Sequence, residues 1–168
     1  MFILTNHSFW ITLVCFTFVL SSSVEPVSES NKSKIQVQKA WARATPPNAK
    51  NAAVYMILQN DGPLNDLLLD VQTAAAKIVE LHTAVKEKGM MFMQPVKNIS
   101  VPTLGTTVLK PGGSHMMLID LKEQLKTGNH IDLTLKFKLA GEIKLRVPIQ
   151  KSQKSEKGSH EHHDMKHN

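Results

Sequence analysis

Between His130 and Gln150 the apolar residues fall on every second position. Ile131, Leu133, Leu135, Phe137 and Leu139 come first, then Ala140-Gly141, then Ile143, Leu145, Val147 and Ile149. A period of two is that of a strand with one buried face, whereas a helix would need apolar residues three and four apart. The stretch predicts a hairpin that turns at Ala140-Gly141. Shorter segments of the same kind precede it: Ile35 to Ala44, Ala52 to Gln59, Leu67 to Val71, Ile78 to Val85, Met90 to Val96, Thr106 to Leu109 and His115 to Leu121. Pro46-Pro47, Asp61-Gly62-Pro63 and Pro111-Gly112-Gly113 separate several of them. "DLKEQLKTGNH" has some helical flavour but reads best as a turn or loop. Seven to nine short strands over residues 35–150 predict an all-β fold, an antiparallel Greek-key β-sandwich.

The ends differ in composition. Residues 1–23 contain no Asp, Glu, Lys or Arg and carry an apolar run from Phe9 to Leu20. That run suits a signal peptide cut after Ser23 and is short of the roughly 20 residues that span a bilayer. An uncleaved anchor is the alternative, and a lipidated Cys15 is disfavoured because Val14, not a small residue, precedes it. Residues 24–34 read as a linker. Cys15 is the single cysteine, so the cleaved chain would offer neither disulfide nor thiolate. Residues 151–168 have no apolar period but hold His160, His162, His163, Met165 and His167, and read as a disordered tail. The net charge of +6 comes from lysines scattered along strands and tail, without the clustered aromatics of a nucleic-acid binder. An acidic protein partner is compatible with that charge.

Two stretches, "LHTAVKEKGMMFMQ" and "GGSHMMLID", combine His with Met. With Lys86-Glu87-Lys88-Gly89 as a four-residue hairpin loop, Val85 would face Met90, Ala84 Met91, Thr83 Phe92 and His82 Met93. His82 and Met93 would then point to the same side. His115 and Met117, two apart on a strand, also share a side, while Met116 points the other way. If the two pairs meet, they make a site of two imidazoles and two thioethers. Such soft, neutral donors favour Cu(I) over hard cations. Met residues in strands more often fill gaps in a core, so burial of Met93 and Met117 among leucines would remove the site.

The spacing His82-x10-Met93-x21-His115-x-Met117 resembles the signature of the periplasmic copper chaperones called PCuAC. The flanking "VELHT", "GMMFMQPV", "LKPGGSHMMLIDLKEQLKTG" and "AWARATPPNAKNAAVYMILQN" are similar to that family's as well. The resemblance spans residues 35 to 150. It implies a cupredoxin-like sandwich, Cu(I) on those four residues, and periplasmic delivery of copper to the dinuclear centre of cytochrome c oxidase, directly or through a partner chaperone. Some members carry a His- and Met-rich tail that takes Cu(II), and nitrogen-rich donors suit that ion. A copper-buffering or resistance protein is the rival reading. An immunoglobulin-like interaction module with Met in its core is another. No nucleophile triad, carboxylate pair or phosphate loop supports an enzyme.

Overall fold

The computed structural model describes residues 33–151, and among these there is no helix. The expected leader, all of the linker before Ser33, and the tail after Lys151 lie outside the described residues. Ten strands follow in order: β1 (Ile35–Arg43), β2 (Asn51–Asn60), β3 (Asp66–Gln72), β4 (Ala76–Glu87), β5 (Met90–Val96), β6 (Ile99–Val101), β7 (Gly105–Leu109), β8 (His115–Leu121), β9 (His130–Phe137) and β10 (Gly141–Gln150). They form one open path, β5-β4-β8-β2-β1-β10-β9-β3-β6, with β7 paired to β2 beside β8. The all-β expectation holds, with one departure from an antiparallel arrangement. β1 and β10 run parallel, joined by Ala42 with Ile149 and Arg43 with Gln150.

The two halves of the path close over a single core. Val54, Met56, Leu58, Met116 and Leu118 come from one half, and Leu68, Leu133, Leu135 and Val147 from the other. Each side chain of this size contributes about 1.5–3 kcal/mol when fully buried. The predicted hairpin is β9–β10, but Gly141 pairs with Phe137, so Lys138, Leu139 and Ala140 form a three-residue loop and Leu139 leaves the strand. β6, only "ISV", is too short for its alternation to be read from the sequence. Between β8 and β9, "DLKEQLKTGNH" runs through a bend, irregular backbone and a turn, the loop expected.

Three local features shape the sheet that carries the His and Met residues. Lys39 has φ 49°, and the β1–β2 register shifts between Gln38 and Trp41. This bulge moves the inward positions from Ile35 and Val37 to Ala42, so Trp41 pairs with Tyr55 on the outer face. β2 is shared along its length: Met56 to Asn60 pair with β7, and Asn51 to Val54 with β8. Between β7 and β8 the chain leaves the sheet, and the Lys110 amide donating to Ser114 O (2.8 Å) pinches that loop at its base.

The expected β4–β5 register needs correction. Lys88 (φ 49°) and Gly89 (φ 83°) alone make a two-residue turn, whose positive φ at both places matches the twist of the flanking strands. Glu87 therefore pairs with Met90, Lys86 with Met91, Val85 with Phe92, Ala84 with Met93 and His82 with Pro95. The slip is two residues, so the parity of every side chain survives and His82 still shares a face with Met93.

Asp66 is a fully buried carboxylate that locks the far half of the sandwich. It accepts from the Ser33 hydroxyl and from the amides of Leu67, Leu139 and Ala140. It thereby holds the three-residue β9–β10 loop. Desolvation pushes its pKa up, but these hydrogen bonds outweigh that effect and hold it below the usual carboxylate value. A lowered folded-state pKa stabilises the fold above the unfolded pKa, and this contribution is lost as pH falls through the folded value. Asp66→Asn turns an amide donor toward backbone donors and is expected to cost about 1–3 kcal/mol at neutral pH. The variant should also show a shallower loss of stability in acid, measured by urea unfolding across the pH range. A wild-type acid limb retained by the variant would remove Asp66 as its source.

Candidate metal centre

The sheet has two faces at β4, β8 and β2. Leu81, Met116 and Val54 point to the core, and the residues between them point outward. On the outer face His82 lies directly opposite His115, and Glu80 directly opposite Met117. Across β8's other edge Met117 pairs with Ala53. The adjacency of β4 and β8, which no local pattern in the sequence dictates, is thus what brings the two His-Met pairs together.

The imidazole centroids of His82 and His115 are 5.5 Å apart. Met117 sits diagonally from His82, two residues along from His115. Met93 is also diagonal to His82, because it pairs with Ala84. Diagonal neighbours on a sheet are about 7–8 Å apart at Cα, within reach of a flexible thioether. The small side chains of Ala84 and Ala53 leave room over the face.

Exposure separates the methionines by role. Met56 and Met116 are buried in the core, whereas Met117 is half-buried on the outer face and Met93 is 47% exposed. Met93 and Met117 are therefore not packed among leucines. The gap-filling account fails for both and holds for Met116.

Each histidine has one nitrogen assigned by a partner that can only accept. His115 Nδ1 donates to Gly113 O at 2.9 Å, which leaves the Nε2 lone pair free. His82 Nε2 donates to a Glu80 carboxylate oxygen at 2.8 Å, which leaves Nδ1. Such partners orient a ring and raise its basicity as a ligand. The Thr83 and Ser114 hydroxyls share a hydrogen bond of 3.0 Å and tie the pinched loop to β4 beside the site.

A wall of rings backs His115. Tyr55 is 6.2 Å from it, Trp41 is 4.6 Å from Tyr55, and the Arg43 guanidinium lies 5.7 Å over the Tyr55 ring. Burial pushes the Tyr55 phenol above its ordinary pKa, with Arg43 offsetting part of this. Among the described residues no three His, Cys, Asp or Glu side chains form a group that could hold a metal ion. A metal on this face would draw on the thioethers.

The structure thus sets His82 beside His115 on the outer face, with Met93 and Met117 on the same face at opposite diagonals of His82. His160, His162, His163, Met165 and His167 lie outside the described residues. Glu80, Tyr55 and Trp41 were not anticipated. Glu80 was readable as the same-face neighbour of His82 two residues away, whereas the aromatic wall depends on the bulge at Lys39. A long-range proton–nitrogen spectrum of the metal-free protein above the pH of imidazole protonation should show His115 as the Nδ1–H tautomer and His82 as Nε2–H. The reverse pattern would overturn the assignment of the free lone pairs.

Comparison with known proteins places this face in context. A family model described as "Putative lipoprotein LpqE-like" matches residues 35–149. A relative from Leifsonia xyli subsp. xyli, "Putative lipoprotein Lxx21020", is 32% identical over 117 residues, 69% of each chain. The copper-bound PCuAC domain from PmoF2 superposes with a TM-score of 0.62 at 26% identity, covering 72% of this chain and 96% of that one. The solution structure of CuI-DR1885 from Deinococcus radiodurans gives 0.60 at 31% identity, covering 73% and 82%.

Proposed function

The chain belongs to the LpqE-like family, which is that of the PCuAC domains, and from this premise we propose that it is an extracytoplasmic copper chaperone. In this reading it carries Cu(I) on His82, Met93, His115 and Met117. What supports the proposal is the pair of facing imidazoles on one outer face, each with one ring nitrogen held by an acceptor and the other turned to no protein partner, with a methionine on either diagonal of His82. Cu(I) prefers such donors, and a thiolate-free, carboxylate-poor set gives a hard or strongly charge-demanding ion little compensation. Glu80 stays with the His82 ring as its orienting partner.

Hand-off follows from the exposure gradient. His115 is buried at 9% and Met93 is 47% exposed, so an incoming ligand meets Met93 first. Displacing one neutral thioether by a thiolate separates no charge. A protein that only buffered copper would gain from burying that sulfur, and this favours the chaperone over the buffering reading. The acceptor we propose is the dinuclear copper centre of cytochrome c oxidase, reached directly or through a partner chaperone, and the setting is the periplasm after removal of residues 1–23. The copper is cargo, and no reaction is asked of the chain.

The tail fits as a second, Cu(II)-collecting element through His160, His162, His163, Met165 and His167. Its point of departure supports this. β10 ends at Gln150, paired with Arg43, which lies over Tyr55 beside His115. From β10 through β1 and β2 to β8 is three strand spacings, roughly 14 Å.

Competition with a Cu(I) chelator should give one tight equivalent. Met93→Leu and His115→Ala should each weaken it by at least about 100-fold, since even outer-sphere partners are worth about 10–100-fold, with folding retained. Two equivalents of loaded protein mixed with the copper-free, thiol-reduced soluble domain of the oxidase subunit, followed by one-electron oxidation with ferricyanide, should generate that centre's mixed-valence absorption. Removal of residues 151–168 should abolish Cu(II) uptake alone. Unchanged Cu(I) affinity in both variants would reject the site. Normal binding with no transfer would reject the acceptor, and undiminished Cu(II) uptake would reject the tail.

A further inference from the structure

β5 spends four consecutive residues on solvent. Met90 is 60%, Met91 59%, Phe92 45% and Met93 47% exposed. The core needs none of them, and exposed apolar runs of this kind call for a use. The turn at Lys88-Gly89 sorts them by face. Met91 pairs with Lys86 and Met93 with Ala84, both on the side of His82, while Met90 and Phe92 point the other way.

The same face therefore carries donors at increasing exposure along one line. His115 is 9% exposed and the His82 side chain 16%, then Met93 rises to 47% and Met91 to 59%. Met91 and Met93 are two residues apart on one strand, about 6.6 Å at Cα, and each thioether has three rotatable side-chain bonds before its methyl. One ion can be touched by both sulfurs.

Resting on the proposed Cu(I) site, we infer that Met91 is a further copper ligand, a thioether relay through which Cu(I) enters and leaves. As copper departs with Met93 still bound, the Met91 sulfur forms a bond to Cu(I) while the His82 nitrogen, on the other side of Met93 along the face, releases it. One neutral donor replaces another, and the metal stays Cu(I). The ion then sits between Met91 and Met93 near the hairpin tip, where an acceptor's thiolate can reach it without entering the sheet. Leaving through Met91 keeps copper ligated at every stage.

Met90 provides an internal control, being adjacent, of the same chemistry and equally exposed, but on the other face. With methionine methyl groups labelled by carbon-13 in the full chain, anaerobic Cu(I) titration should shift Met93, Met117 and Met91 and leave Met90 unmoved. Met91→Leu, a volume-conserving change at an exposed site, should slow Cu(I) release to a chelator by about tenfold, a modest change in barrier. Met90→Leu should leave release unchanged. Shifts at Met93 and Met117 with Met91 silent, or an unslowed release in Met91→Leu, would overturn the relay and leave the site standing. Silence at all of these methyls would overturn the site itself.

Discussion

The pairing of β4 against β8 is the constraint on which the rest of the site depends. It sets His82 opposite His115 and Glu80 opposite Met117, and it does so between segments that are far apart in sequence. The cost of closing such a loop grows slowly with length. What fixes the register is the inner face, where Leu81 and Met116, paired directly across, are both buried. A one-residue slip would carry the imidazoles into the core and the leucine out of it. Packing on one face thus specifies donor geometry on the other.

The pinched loop before β8 and the projecting β4–β5 hairpin then give the face its open side. Lys110 and Ser114 close the base of the loop, and Gly113, inside it, supplies the carbonyl that orients His115. Beyond His82, β4 continues past the start of β8 and carries Met93 and Met91 on its partner strand into solvent. Rigidity is thereby concentrated at the imidazoles, backed by Tyr55 and Trp41, and freedom at the thioethers. A carrier that must hold its cargo and release it by ligand exchange requires that division.

Much of this was legible in the sequence because a period of two survives most errors. The β9–β10 alternation announced its hairpin, although Asp66, distant in sequence, decides the loop length by capping Leu139 and Ala140. The β4–β5 register was misjudged by two residues because positive φ at Lys88, a residue with no evident turn preference, was invisible. Parity was kept, so the donor face was right for His82 and Met93. β6 was missed for its three residues. The bulge at Lys39 left a faint trace, the shift of apolar positions from Ile35 and Val37 to Ala42, and with it went the aromatic wall. Adjacency of β4 and β8 could not be read from any local pattern.

The central claim is that one Cu(I) binds both imidazoles and thioethers on this face. X-ray absorption at the copper edge on protein loaded with one equivalent tests it most directly. The account predicts a Cu(I) edge with a first shell of both nitrogen and sulfur scatterers, and loss of sulfur scattering when Met93 and Met117 are both replaced by Leu. A shell of nitrogen and oxygen alone in the unmodified protein would contradict it.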